Sequence, residues 1–136
     1  MLASFAGYAG VTTALGGLRG ERFAGADAMT PVLRRLAARG LLFIDARPGA
    51  TPAGTEGLYS RAADLILDEP AHRSDIEAQL ARLEEIARAK GTALGIAGGP
   101  APVTVARIAA WSTGLAARGL TLVPVSALAT LPEPRK

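Results

Sequence analysis

Three times along the chain, an amphipathic stretch ends in a basic residue and a glycine, and an apolar run follows at once. The three junctions are Arg39-Gly40, Lys90-Gly91 and Arg118-Gly119. A glycine after the last helical turn readily adopts the left-handed conformation that ends a helix, and a cation there favours the negative end of the helix dipole. Each junction predicts a helix followed by a strand. Their repetition predicts an α/β fold with a parallel sheet covered by helices.

The starts of the three helices are also marked in the sequence. Asp27 is the expected cap of the first helix, with Pro31 in its first turn. Ser74 and Glu77 have the spacing of a capping box for the second helix, and Pro102 is suited to open the third. Each helix is expected to run to the basic residue of its junction. Helical spacing predicts these inward side chains: Leu33, Leu36 and Ala37; Ile76, Leu80, Leu83, Ile86 and Ala87; Val105, Ile108, Ala109, Trp111 and Leu115.

Five apolar runs are expected to be strands, and a chain of 136 residues has room for one core around them. Residues 1–130 are therefore expected to form a single domain, and residues 131–136 a flexible tail. The stretch 46–57 is rich in proline and glycine and is expected to be a mobile loop. The expected strands are at about residues 6–13, 41–45, 64–68, 92–97 and 120–125.

Composition excludes several classes of protein. The chain is 49% hydrophobic and 20% charged, which excludes a disordered chain. It has no cysteine and one histidine, His72, which excludes thiolate catalysis and any metal site that needs two imidazoles. Residues 1–18 carry no charge, but glycines interrupt them and no basic residue precedes them, so neither a signal peptide nor a membrane span is expected.

The net charge of +3 comes from 15 basic and 12 acidic residues, so the basic excess is slight. A nucleic-acid interface would gather its cations on one face, with aromatic side chains among them for single strands. Here the arginines are dispersed over the three expected helices, and nucleic acid is not an expected partner. The dispersed residues are Arg34, Arg35, Arg39, Arg82, Arg88, Arg107 and Arg118.

Ligands of parallel α/β folds bind at the carboxyl ends of strands, and polar residues follow the expected strands of this chain. Thr13 follows the first strand. Asp45 and Arg47 end the second, where they form either a carboxylate–guanidinium pair or an ordinary turn with a surface arginine. Asp68 and Glu69 end the third, where they are either a general base or cation ligands, or a solvated turn.

Other polar or glycine-rich positions give weaker signals. His72 has no partner carboxylate in its sequence neighbourhood and is expected to be exposed rather than catalytic. The glycine pairs at 16–17 and 98–99 match neither a Walker loop nor a dinucleotide fingerprint, so phosphate binding is not expected. No serine lies in a Gly-x-Ser-x-Gly elbow.

The order and spacing of several segments resemble the later half of the divergent polysaccharide deacetylases. These segments are residues 7–11, 22–23, 28–33, 39–47, 64–70, 79–84, 100–104 and 122–128. The resemblance implies an irregular (β/α) barrel related to NodB-type carbohydrate deacetylases, which remove acetyl groups from amino sugars with a metal-activated water. It also implies that the metal and base carboxylates, with one histidine, belong to a first half that this chain lacks.

The chain departs from this family at positions where the family has imidazoles. Ala14 stands at one histidine position and Gly99 at another, and Ala101 stands where the family has histidine or an aromatic residue. The resemblance keeps the outer residues Asp45 and Arg47 of an Asp-Ser-Arg motif, and Asp68 of a Leu-Asp turn is also retained.

Three functions follow as expectations. The first is a degenerate domain without catalysis of its own that binds a glycan or a protein partner, and the second is a deacetylase completed by a partner chain. The third is a structural role through self-association, because half a barrel leaves sheet edges uncovered. No cofactor is expected, although the family implies a divalent metal such as zinc. The family is often exported or envelope-associated, and the chain itself indicates no compartment.

Overall fold

The computed structural model describes residues 9–13, 27–51, 54–99 and 101–132, and within them it has parallel strands and three helices. The expected α/β fold is confirmed. Short 3₁₀ turns cover Asp27–Met29, Ala116–Arg118 and Val125–Ala127. The strands are β1 (Gly10–Thr12), β2 (Leu42–Asp45), β3 (Ser60–Ala62), β4 (Leu65–Ile66) and β5 (Gly95–Ile96), and the helices are α1 (Thr30–Ala38), α2 (Arg73–Lys90) and α3 (Pro102–Ser112).

The strands form two parallel sheets that share one stretch of chain. β2 lies between β1 and β3, and β4 pairs with β5. The chain changes partners between β3 and β4: the amide of Ala63 donates to the carbonyl of Asp45 at 2.9 Å, and the next amide, of Asp64, donates to Leu94 at 2.8 Å. Within each sheet, the carboxyl ends of the strands therefore lie at one edge.

Each sheet has its own hydrophobic core. Helix α1 packs against the three-stranded sheet, and helices α2 and α3 pack against the other. Burying one such aliphatic or aromatic side chain contributes about 1.5–3 kcal/mol. The buried residues are Met29, Leu36, Phe43 and Leu58 in the first core, and Leu67, Ile76, Leu80 and Leu83 in the second. Within the described ranges, no helix has the length and apolarity needed to cross a bilayer.

Two of the three predicted helix stops, at Gly40 and Gly91, are confirmed; the third glycine, Gly119, ends the 3₁₀ turn Ala116–Arg118 instead, because α3 already ends at Ser112. Gly40, Gly91 and Gly119 have φ angles of 65°, 85° and 74°, in the left-handed region that a residue with a Cβ rarely adopts. At the end of α2, the amide of Gly91 donates to the carbonyl of Ala87 at 2.8 Å. The helix therefore closes its last turn with its own backbone.

Two predicted helix starts are wrong. Asp27 lies in the 3₁₀ turn, and α1 is preceded by Met29, which makes no side-chain cap. Helix α2 begins at Arg73 rather than after Ser74, with no side-chain cap.

The predicted capping box fails because Glu77 has stronger partners. Its Oε1 accepts hydrogen bonds from Nε of Arg73 at 3.0 Å and from Nη1 of Arg107 at 3.2 Å. A charge-assisted hydrogen bond from a guanidinium is stronger than one from a neutral backbone amide. These hydrogen bonds from Arg73 and Arg107 also hold the pKa of Glu77 below its usual value.

The third helix and the last predicted strand also differ from expectation. Helix α3 ends at Ser112, where a turn begins, and the amide of Leu120 donates back to the carbonyl of Leu115 at 3.0 Å. Residues 120–124 are not in a strand; the chain enters a 3₁₀ turn after Pro124, which has no N–H for a ladder. Val105 and Ala109 are exposed rather than inward.

Strand β3 was not predicted, because it follows the glycine- and proline-rich stretch. Burial alternates along residues 58–62, as is typical of a strand. Leu58, Ser60 and Ala62 are buried, and Tyr59 and Arg61 are more exposed. The strands expected at 64–68 and 92–97 shorten to β4 and β5, and of the first expected strand only residues 9–13 lie in the described ranges. Most of the expected tail lies outside the described residues.

Glu84, a buried carboxylate that no sequence motif marks as a site residue, joins α2 to α3. Glu84 is 8% exposed and accepts hydrogen bonds from Nε1 of Trp111 at 2.8 Å, Nε of Arg118 at 3.0 Å and Nη2 of Arg88 at 3.1 Å. Burial raises the pKa of Glu84, but these three hydrogen bonds outweigh it and hold the pKa of that carboxyl below its usual value.

We expect Gly10→Ala to destabilise the fold by about 1–3 kcal/mol, because overpacking at a strand contact forces the backbone to move. A Cβ on Gly10 would lie 2.6 Å from the carbonyl oxygen of Leu42 and 2.7 Å from its Cβ. Urea unfolding measures the effect. Gly54→Ala is the matched control, since a Cβ there meets nothing within 4 Å. Equal stability of the two variants would contradict the close approach of β1 and β2.

We expect Glu84→Gln to lower stability at neutral pH by about 1–2 kcal/mol, because charge-assisted hydrogen bonds weaken. Since the pKa of Glu84 is lowered on folding, its contribution is complete above the ordinary value of 4.5 and is lost as pH falls through the folded value. The difference between wild type and variant in urea unfolding should therefore shrink below about pH 4.5. The exposed Glu85→Gln is the control, and a pH-independent difference would contradict the assignment.

Candidate functional site

A partly buried ion pair ends the central strand of the three-stranded sheet. Asp45 is the last residue of β2 and is 3% exposed. Nε of Arg47 lies 3.0 Å from its Oδ1 and 3.2 Å from its Oδ2, and Nη2 lies 2.6 Å from Oδ2. The backbone amide of Arg47 also donates to Oδ1 at 3.0 Å. Of the two sequence alternatives, the structure therefore shows the carboxylate–guanidinium pair.

Thr13 ties the end of β1 to this turn. Its hydroxyl oxygen accepts a hydrogen bond from the backbone amide of Ala46 at 3.2 Å, and the residue is 7% exposed. Parallel pairing of β1 with β2 brings the two strand ends together and makes this contact. The structure thus joins residues from the ends of two expected strands: Thr13 from the first, and Asp45 and Arg47 from the second. We call this group the β2 cluster.

Asp68 forms a second cluster at the end of β4. Its Oδ1 accepts from the backbone amide of Gly98 at 2.7 Å, and the hydroxyl of Thr104 donates to Oδ2 at 3.5 Å. These contacts join the loop after β4 to the loop after β5 and to the first turn of α3. Thr104, which is 1% exposed, was not among the sequence candidates, although its position two residues after Pro102 marks the first turn.

The remaining positions predicted from the sequence belong to neither cluster. Glu69 is exposed beside Asp68, and His72 is exposed, as expected, at the residue before α2. A Cβ built on Gly99 meets nothing within 4 Å, so the space next to that backbone is open. Ala101 is half-buried, and Ala14 lies outside the described residues.

The described residues do not fit the divalent metal that the family implies. A catalytic zinc needs three protein ligands and an open position, whereas both oxygens of Asp45 already face the guanidinium of Arg47. Asp68 has a backbone amide on one oxygen and a hydroxyl on the other. Across the described ranges, no group of three or more His, Asp or Glu side chains is placed to hold a metal ion.

We expect Arg47→Ala to destabilise the protein by about 2–4 kcal/mol, because it leaves a buried carboxylate without its cation. The side chains of Arg47 and Asp45 are 34% and 4% exposed, so solvent screens the arginine more than the aspartate. The double variant Asp45→Asn/Arg47→Ala should recover part of the loss in urea unfolding. Arg39→Ala, at the exposed end of α1, is the control. Additive losses in the double variant would contradict a coupled pair.

Comparison with known proteins agrees with this architecture. The chain is similar to the crystal structure of an uncharacterized protein from Agrobacterium tumefaciens C58, with 31% sequence identity and a TM-score of 0.64. The match covers 77% of this chain and 44% of that protein, so it spans less than half of the solved chain. A comparison with curated proteins finds no match.

A family model gives the assignment directly. The model described as divergent polysaccharide deacetylase matches residues 1–129, which is nearly the whole chain. This match confirms the resemblance seen in the ordered segments of the sequence. The protein belongs to the divergent polysaccharide deacetylase family.

Proposed function

We propose that this chain is a deacetylase-like domain that binds amino-sugar glycans and does not catalyse deacetylation by itself. The observation that carries the proposal is the engagement of Asp45: Arg47 faces both of its oxygens at 2.6–3.2 Å. Held in this way, the carboxylate of Asp45 fixes the guanidinium of Arg47 at the carboxyl end of β2. It is not placed to activate water.

The case against independent catalysis rests on the proton-transfer groups. Hydrolysis of an acetamide needs an activated water and an acid for the leaving amine, and a positioned acid or base contributes about 10²–10⁴-fold. The imidazole positions of the family hold Ala14 and Gly99 here, and the sole histidine, His72, lies exposed before α2. Asp68 accepts its hydrogen bonds from fixed structural donors.

The case for glycan binding rests on the β2 cluster. The Arg47 side chain is 34% exposed while that of Asp45 is 4% exposed, so the arginine is anchored by a buried carboxylate and is partly open to solvent. Sugar hydroxyls and acetamide carbonyls accept hydrogen bonds from such a planar group. Anchoring also lowers the entropy lost when a ligand orders the side chain. These features support a polar, uncharged ligand at the strand ends.

Thermal unfolding with and without ligands tests the proposal. A ligand that binds only the native state must raise the melting temperature. We expect zinc to leave the melt unchanged and millimolar N-acetylglucosamine tetramer to raise it by about 2–5 °C. A melt raised by zinc would contradict the proposal and favour a deacetylase whose remaining metal ligands come from elsewhere. A melt indifferent to both ligands would leave a structural role.

Arg47→Lys separates binding from folding. Lysine keeps the positive charge beside Asp45 but loses the planar, bidentate donor geometry, so the variant should fold and lose most of the glycan-induced shift. Arg39→Lys, at the exposed end of α1, should keep the full shift. An unchanged shift in Arg47→Lys would place glycan binding outside the β2 cluster.

A further inference from the structure

The unpaired positive charge of the described residues gathers on helix α1. Of the arginines and lysines that the structure describes, four take part in no ion pair, and all four are exposed: Arg34, Arg35, Arg39 and Arg82. The first three belong to α1 or to its C-terminal end. The sequence disperses its arginines over three helices, but the structure therefore leaves most of the unpaired ones on a single helix.

The three arginines lie around the side of α1 that faces solvent, and we call this side the α1 face. Successive residues of an α-helix are about 100° apart, so Arg34 and Arg35 lie on either side of the line that points directly away from the sheet. The exposed Ala38 lies between them, and Arg39 follows about one turn after Arg35. The opposite side of the helix packs on the three-stranded sheet through Leu33, Leu36 and Ala37.

No acidic residue of α1 offsets this charge, because the helix contains neither aspartate nor glutamate. The nearest described acids along the chain are Asp27, in the 3₁₀ turn before α1, and Asp45, which is already paired with Arg47. Helix α2 differs, since it carries equal numbers of basic and acidic residues. The net charge of the chain is only +3, so the α1 face holds a local excess of positive charge on a nearly neutral protein.

We propose that the α1 face is a docking surface for an anionic lipid bilayer, which the protein contacts peripherally through Arg34, Arg35 and Arg39. Charge complementarity supports this partner, because guanidinium groups match phosphate geometry and clustered basic residues are attracted to the negative potential of anionic lipids. The shape of the face also supports it. Arginines on both sides of the outermost line of a helix meet a plane together, whereas a linear polymer would follow one row of them. The β2 cluster contains no residue of α1, so this inference is independent of glycan binding.

The contact with the bilayer is electrostatic and does not insert the helix. Interfacial helices bury an apolar side among the lipid headgroups, whereas the apolar side of α1 is packed on its own sheet. Each arginine near an anionic surface strengthens binding by about fivefold, so three give a preference of roughly 100-fold for anionic over neutral vesicles. The Debye length falls from about 10 Å at 0.1 M salt to about 3 Å at 1 M, so high salt should abolish binding.

Co-sedimentation with lipid vesicles at low salt tests the proposal. The wild type should bind vesicles of equal parts phosphatidylcholine and phosphatidylglycerol, and not vesicles of phosphatidylcholine alone. The variant Arg34→Gln/Arg35→Gln/Arg39→Gln should bind the anionic vesicles roughly 100-fold more weakly. The matched control is a variant that removes the same charge from exposed positions of α2, and it should keep most of the binding: Arg73→Gln/Arg82→Gln/Lys90→Gln. Equal losses in the two variants, or no binding by the wild type, would overturn the proposal.

A variant that preserves the charge separates loss of charge from loss of fold. Arg34→Lys/Arg35→Lys/Arg39→Lys keeps all three positive charges, and lysine and glutamine are similarly compatible with a helix. This variant should bind anionic vesicles nearly as well as the wild type, because the attraction depends on charge rather than on guanidinium geometry. Urea unfolding of all variants checks that they fold. If the lysine variant loses binding as completely as the glutamine variant, the contact is not electrostatic and the proposal fails.

Site-specific fluorescence shows which face meets the bilayer. The sequence has no cysteine, so a polarity-sensitive probe on Ala38→Cys marks the α1 face, and one on Ala89→Cys marks an exposed position of α2. Anionic vesicles should shift the emission of the probe at residue 38 and not of the probe at residue 89. A shift at both positions would contradict docking through α1. Binding to soluble dextran sulfate without binding to vesicles would assign the α1 face to an anionic polymer and overturn the proposal.

Discussion

The two sheets depend on one stretch of backbone, residues 60–67, which is hydrogen-bonded to β2 where it begins and to β5 where it ends. Asp64 stabilises the change of partner. Its Oδ2 accepts from the amide of Leu94 at 2.9 Å and from Nη2 of Arg61 at 2.8 Å. Helix α1 packs on the sheet that precedes this change of partner, and helices α2 and α3 pack on the sheet that follows it.

The same use of carboxylates recurs at the strand ends. Asp45 and Asp68 each accept from a backbone amide as well as from a side chain, so each fixes the course of a loop. The side chain of Arg47, paired with the buried Asp45, is 34% exposed and remains partly open to solvent.

Local patterns predicted the elements whose causes are local. The glycine stops of α1 and α2, the apolar spacing of α2 and the course of β2 each depend on a few adjacent residues, and all three appear as expected. The capping box failed partly through a distant residue, because Arg107 of α3 binds Glu77 together with Arg73 of the same helix. The last predicted strand failed for a local reason, since the amide of Leu120 donates to the carbonyl of Leu115. Only the contact with Arg107 is invisible from the segment that it changes.

The sequence by itself determined the α/β class, the glycine stops of α1 and α2, the family and the lack of cysteine and of paired histidines, because these follow from residue identity and short-range spacing. Only the tertiary structure decided that Thr13 meets the turn after Asp45, that Asp68 holds Gly98, and that Glu84 is buried among three donors. The physical reason is that a hydrogen bond depends on distance and direction in space, and residues about thirty positions apart acquire both only when strands pair and helices pack.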